Sequence, residues 1–108
     1  MGMAQMYRLE FLPLARQDMI EAVRYISHDL KNPAAAQRLS SRLIEAAERL
    51  ADFPYLYAVY TPLRPLKQEY RKLPVENYCM FYSVDERSKT ITIARVIYAR
   101  RSFEHLLE

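Results

Sequence analysis

The sequence predicts an α+β fold in the order β-α-α-β-β-β: a helix hairpin packed on one face of a mostly antiparallel, twisted sheet, with a short C-terminal helix. Three observations predict it. Apolar residues recur at helical spacing along residues 14–30 and again along residues 34–53. Only Lys31, Asn32 and Pro33 separate the two stretches, too few to place the helices anywhere but side by side and antiparallel. Residues 69–98 then hold three β-like segments divided by Pro74 and by a polar turn at residues 85–89. Helices grouped on one side of such a meander form a layer on one face of its sheet.

In the first strand Tyr7, Leu9 and Phe11 share one face, with Arg8 and Glu10 on the other. Pro13 ends the strand and suits the first position of a helix. Along residues 14–30, Ala15, Met19, Val23, Ile26 and Leu30 make the buried stripe, while Arg16, Gln17, Asp18, Glu21 and Arg24 point elsewhere. Asn32 is an N-cap and Pro33 the first helical residue of the second helix, whose stripe is Leu39, Leu43, Ala46, Leu50 and Phe53. Pro54 stops it.

From residue 54 to 68 there is no period. Pro54, Pro62 and Pro65 interleave with Tyr55, Tyr57, Tyr60 and Leu66, which reads as an extended connection with its rings packed and its hydroxyls in water. The second strand covers residues 69–73, where Pro74 limits interior pairing. The third covers 78–84 and the fourth 90–98, joined as a hairpin. Ser102 caps a terminal helix that returns Phe103, Leu106 and Leu107 to the core, and the sheet face away from the helix hairpin is left free for binding.

At 108 residues the chain supports one domain, expected over residues 6–108 behind a disordered lead-in of residues 1–5. With 51% hydrophobic and 27% charged residues and no apolar run near membrane-spanning length, it reads as a globular protein without a membrane association. The start lacks the basic-then-apolar order of a secretory leader, so a cytoplasmic location is expected. Cys79 is the only cysteine and reads as a small buried hydrophobe; neither a metal nor a cofactor is expected.

Charge is asymmetric. Residues 1–63 hold seven Lys/Arg and seven Asp/Glu, whereas residues 64–101 hold nine against four. Lys67, Arg71, Lys72, Arg95, Arg100 and Arg101, with the aromatic ring of Tyr82, are therefore the candidate surface for a polyanion or an acidic partner. The competing reading is that Arg71 and Arg95 pair with nearby acids, as Glu69 and Glu76 could pair with Arg71 and Lys72. His28 falls among polar residues of the first helix and reads as exposed, while His105 lies four residues beyond Arg101 and within reach of the basic surface.

Three segments carry a family likeness: Tyr70-Arg71-Lys72-Leu73-Pro74-Val75-Glu76-Asn77-Tyr78, then Phe81-Tyr82-Ser83-Val84-Asp85, then Ile97-Tyr98-Ala99-Arg100-Arg101-Ser102 leading to Leu106-Leu107. In that order and spacing they resemble the C-terminal half of the RelE/ParE toxins of bacterial type II toxin–antitoxin modules. A strand ending in Phe11-Leu12-Pro13, a helix hairpin and a Phe53-Pro54 stop are similar to the rest, so the resemblance spans about residues 6 to 107.

The resemblance implies a growth-arresting toxin silenced by a cognate antitoxin that wraps it with an extended, acidic, amphipathic segment. Monomer and homodimer are both compatible with the sequence. Two targets occur in the family: RelE-like members cleave mRNA in the ribosome, and ParE-like members bind DNA gyrase. Cleavage needs a base for the 2′-hydroxyl, an acid for the leaving oxygen and cations for the phosphate. By position Lys72 and Arg100 would be the catalytic cations, with Arg71 and His105 as lesser candidates. The arginine that the nucleases carry beside the third-strand tyrosine is Cys79 here, their terminal-helix tyrosine is Leu106, and the His-Tyr ending of the other nuclease branch falls on Ser102 and Phe103. These departures favour a ParE-like gyrase inhibitor, with a ribosome-dependent endoribonuclease as the alternative; whether the chain is an enzyme stays open. A non-toxic RNA-binding module stacking bases on Tyr70, Tyr78 and Tyr82 is a remote third reading, without the Gly-containing aromatic motif such sheets carry.

Overall fold

A computed structural model describes residues 7–62, 66–101 and 103–107. The expected lead-in at residues 1–5, Pro65 of the connection, the Ser102 cap and the side chain of His105 lie outside the described residues. The element order is β1 (Arg8–Phe11), α1 (Pro13–Arg24) continuing into a π-helical turn (Tyr25–Asp29), α2 (Pro33–Leu50), β2 (Arg71–Val75), β3 (Tyr78–Asp85), β4 (Thr90–Tyr98) and α3 (Glu104–Leu107). The sheet order is β1-β4-β3-β2. β2, β3 and β4 form an antiparallel meander, and β1 joins the far side of β4 in parallel, Arg8 opposite Thr90 and Phe11 opposite Ile93. The parallel pair is the physical consequence of the helix hairpin, which carries the chain back across one face of the sheet after β1.

The helices start as the sequence predicts, with Pro13 and Pro33 in their first turns and Asn32 accepting a hydrogen bond from the Ala35 amide at 3.1 Å. Their stripes differ in part. On α1 the fully buried residues are Ala15 and Ala22, with Met19 and Ile26 packed beside them; Leu30 is exposed because the π-turn after Arg24 rotates the end of the helix. On α2 the core face is Ala36, Leu39, Leu43, Ala47 and Leu50, and the helix stops before Phe53, leaving that ring in water. β2 begins at Arg71 rather than residue 69 and runs through Pro74. It tolerates the proline as an edge strand, whose outer side is covered by residues 58–60: Lys72 donates to the Ala58 carbonyl and Tyr60 to that of Tyr70.

A β-bulge shapes the middle of the sheet. The register of β3 on β4 slips between Phe81, opposite Arg95, and Tyr82, opposite Ile93, which leaves Ala94 as the extra residue. Ile91, Ile93 and Val96 consequently all join Met80 and Tyr82 in the core under the helices. The opposite face is not free. Cys79, Phe81 and Ile97 are buried there beneath Leu107, with Phe103, Leu106, Tyr60, Leu66 and Tyr70 around them. The terminal segment thus builds a second small core instead of joining the first, because alternation along β3 and β4 supplies apolar side chains to both faces.

Candidate functional site

Four cations of the positive half, Arg71, Lys72, Arg95 and Arg101, have separate surroundings. Lys72 sits opposite Phe81 on the α3 side of the sheet, its ammonium 5.8 Å from the Tyr60 ring centre and 5.2 Å from that of Phe103. Those rings and Phe81 pack edge to face at 4.9–5.9 Å, so the lysine caps an aromatic cluster. Arg71 is turned the other way. Its Nη1 donates to the Tyr57 carbonyl at 2.6 Å, and its guanidinium lies 4.9 Å over the Tyr55 ring. Lys67, Arg100 and Arg101 are exposed and make no ion pair among the described residues. Arg101 lines a hollow of about 160 Å³ with Glu21, Tyr25, Tyr78 and Tyr98, on the helix side of the sheet. Lys72 lines neither this hollow nor the larger ones described below.

Two expected surface residues are internal. Tyr82 is fully buried and donates its hydroxyl to the Pro54 carbonyl at 3.0 Å, since the bulge keeps it on the helix side of β3; it cannot stack on a base. Arg95 is committed to Asp18 by two hydrogen bonds of 2.8 and 2.9 Å, and donates a third at 2.8 Å to the Leu106 carbonyl of α3. The Asp18 and Arg95 side chains are only 11% and 16% exposed. Asp18 also accepts the Val96 amide at 2.9 Å. The reason lies in the edge of β4. Its partner β1 ends once the Leu12 amide has met the Ile93 carbonyl, and the bulge brings the Val96 amide round as the next group facing that open edge. Asp18 closes it.

Sequence reading set Asp18 among the polar residues of α1. The available signal was its spacing, three residues after Ala15 and four before Ala22, which puts a carboxylate on the apolar stripe between two small side chains. Glu76 likewise pairs not with Arg71 or Lys72 but with Arg38 and Arg42 of α2, at 3.5 and 3.2 Å.

At the other end of the sheet Glu86 receives the hydroxyls of Tyr7 and Tyr55 and the Lys89 ammonium. These donors, Lys89 first, hold its carboxyl down at about 2, and the same carboxylate pushes the Tyr55 phenol up to about 12. Neither is poised to exchange a proton near neutrality. Cys79 is buried, and desolvation pushes its thiol up against a weaker opposing pull from Lys72, the reverse of what a nucleophile needs.

A larger hollow lies on the helices. A groove of about 740 Å³ runs between the outer flanks of α1 and α2, walled by Phe11, Met19, Ile20, Val23 and Ile44. Its charged lining is Arg16 and Arg24, without a carboxylate. Ile20 is 52% exposed and Ile44 39%, so the apolar wall is open to solvent. An open apolar trough with a cationic rim is shaped for an amphipathic helix bearing acidic side chains.

The profile of the family described as the ParE toxin of type II toxin-antitoxin systems, parDE, matches residues 9–103. Among solved structures the fold is similar to a chain of the chromosomal ParDE system of P. aeruginosa, at 19% identity over 90% of this chain and 100% of that one, TM-score 0.70. It is also similar to a chain of the RelBE2 toxin–antitoxin complex of Mycobacterium tuberculosis (24% identity, 85% and 96% covered, TM-score 0.60). A third likeness is to the archaeal RelE–RelB complex of Pyrococcus horikoshii (17% identity, 90% and 99% covered, TM-score 0.60). No curated protein matches the chain by sequence.

Proposed function

The chain belongs to the ParE toxin family of type II toxin–antitoxin systems, and on that premise we propose that it arrests growth by binding DNA gyrase and is silenced by a cognate antitoxin seated in the α1–α2 groove. The observation that carries the gyrase reading is the separation of Lys72, Arg95 and Arg101. A phosphodiester-cleaving site needs several cations on one phosphate with a proton acceptor beside them. Here Lys72 lies over the Tyr60 and Phe103 rings, Arg95 is locked to Asp18, and Arg101 opens on the other side of the sheet. The places where the nucleases carry an arginine and a tyrosine hold buried Cys79 and partly buried Leu106.

The groove supports the antitoxin reading through its charge. Two copies of this chain meeting groove to groove would set Arg16 and Arg24 against themselves, which favours a different, acidic occupant over a homodimer at this face. Among the described residues no helix is long and apolar enough to cross a membrane.

The test sets two assays side by side with purified chain. In plasmid supercoiling by gyrase, inhibition that is relieved by the antitoxin is expected. In primer extension on ribosome-bound mRNA, new cleavage ends without any effect on gyrase would overturn the gyrase reading in favour of the ribosome. Ile20→Glu with Arg24→Glu in the groove is expected to weaken antitoxin binding at least tenfold while the chain stays toxic.

A further inference from the structure

A second hollow, of about 220 Å³, lies on the opposite flank of α2 from the groove. Its floor is Leu50, Leu73 and Val75, and its charged rim is Arg42, Arg49 and Glu76. That is room for a single bulky side chain, well short of a drug-sized ligand. Three observations bear on what it takes.

The first is backbone geometry. Glu76 stands in the β2–β3 turn at φ 54°, in the left-handed region where glycine or asparagine fits at less cost. A long acidic side chain is held at a position whose backbone disfavours it. The second is where that side chain goes: it bridges Arg38 and Arg42, and it is the only carboxylate lining the hollow. The third is surplus. Arg49, two turns along α2 from Arg42, makes no ion pair among the described residues, and Leu56 beside it is 55% exposed.

We propose that this hollow is a second seat for the antitoxin, and that Glu76 is a built-in placeholder for the acidic side chain that belongs there. A bulky apolar residue of the partner would fill the floor. A carboxylate flanking it would pair with Arg49 and displace Glu76 from Arg42, as one ion pair exchanges for another. A segment leaving the α1–α2 groove has only the polar ridge of α2 to cross, Ser41, Glu45 and Glu48, before reaching the hollow; the two seats on one chain then reinforce each other through effective concentration. The proposal rests on the toxin–antitoxin reading for the identity of the partner alone.

The experiment measures fluorescence anisotropy of a labelled, N-acetylated peptide, Glu-Glu-Leu-Phe-Glu-Glu, on the full chain, with circular dichroism to confirm each variant is folded. Glu76→Gln removes the competitor and keeps the side chain's length, and is expected to tighten the peptide roughly two- to fivefold, the range that surface ion pairs are worth. Arg49→Ala and Leu56→Ser should each weaken it by a similar factor, and Ala46→Phe, which fills the hollow from α2, should abolish binding. Absence of peptide binding at millimolar concentration overturns the proposal, as does unchanged or weaker binding to folded Glu76→Gln. Equal binding of an all-Glu hexamer or of a single-stranded oligonucleotide would make this a plain anion surface and also overturn it. Prior binding of the antitoxin should exclude the peptide; if the complex still takes it, the seat belongs to another acidic chain. None of these arms contains gyrase or ribosomes, so growth arrest on expression judges the toxin reading separately.

Discussion

Replacing Asp18 by asparagine should cost this fold more than any other single charge removal among its described ion pairs. Asp18 accepts three hydrogen bonds, two from the Arg95 guanidinium and one from the Val96 amide, with both side chains mostly out of water. Asparagine can still accept the Val96 amide or one guanidinium hydrogen, but its own NH₂ then faces a cation that has lost its counter-charge. Breaking one partner of a buried pair costs about 3–5 kcal/mol; the residual exposure of Arg95 brings the expectation to about 3 kcal/mol. For a domain of this size that lowers Tm by roughly 12 °C.

The assay is urea unfolding of the four proteins of a cycle: wild type, Asp18→Asn, Arg95→Met and the double variant. The double variant should be less damaged than the sum of the singles by about 2 kcal/mol, because removing both charges leaves no stranded ion. A coupling below about 0.5 kcal/mol would show that the pair is an exposed contact in solution and that the β4 edge is closed by something else. Exposed pairs such as Arg8 with Glu10 should show no measurable coupling in the same experiment.

Other outcomes follow from the same contacts. The Glu86 carboxyl is depressed on folding, so its contribution to stability is complete above its unfolded pKa near 4.5 and lost as pH falls toward about 2; Glu86→Gln should flatten acid unfolding in that window. Tyr55 is raised, so its neutral form is the one folding favours: ultraviolet titration should find one phenol ionising near 12, and Glu86→Gln should return it toward 10. Cys79 should react with a disulfide reagent only slowly in the native chain and faster in Arg95→Met, which frees the Leu106 carbonyl above it. Lys72→Ala and Arg100→Ala should leave growth arrest intact if gyrase is the target; loss of toxicity in both would restore the nuclease reading.

The helix starts were legible because each has a local cause: a proline that can only open a helix, and an asparagine that caps one. The β3–β4 hairpin was legible for the same reason, an alternating run on either side of a polar turn. What escaped reading depends on contacts between distant residues. Phe53 and Leu30 continue helical spacing but fall beyond helix ends set by the π-turn and by Pro54. Tyr82 and Arg95 lie on strands where a one-residue bulge resets which face each side chain occupies, and a periodicity of two cannot register an extra residue on one strand only. The second core under α3 was missed because apolar alternation on both faces of β3 looks the same as one well-packed face and one idle face.

The covered sheet has a consequence for how such a toxin meets its target. With both faces of the sheet occupied, one by the helix pair and the other by α3 with Tyr60, Leu66 and Tyr70, a partner meets either face only by displacing packed side chains. What remains open is the helix layer with its two flanking hollows, the outer edge of β1, and the turn after β4 carrying Arg100 and Arg101 beside Tyr25 and Tyr98. An antitoxin that fills both flanks of α2 leaves the Arg101 end of the molecule uncovered. If that end is the one gyrase contacts, silencing must come from bulk held nearby rather than from occupation of the effector surface. Arg101→Glu would then abolish gyrase inhibition and leave antitoxin affinity within twofold; joint loss of both would place target and antitoxin on one shared surface.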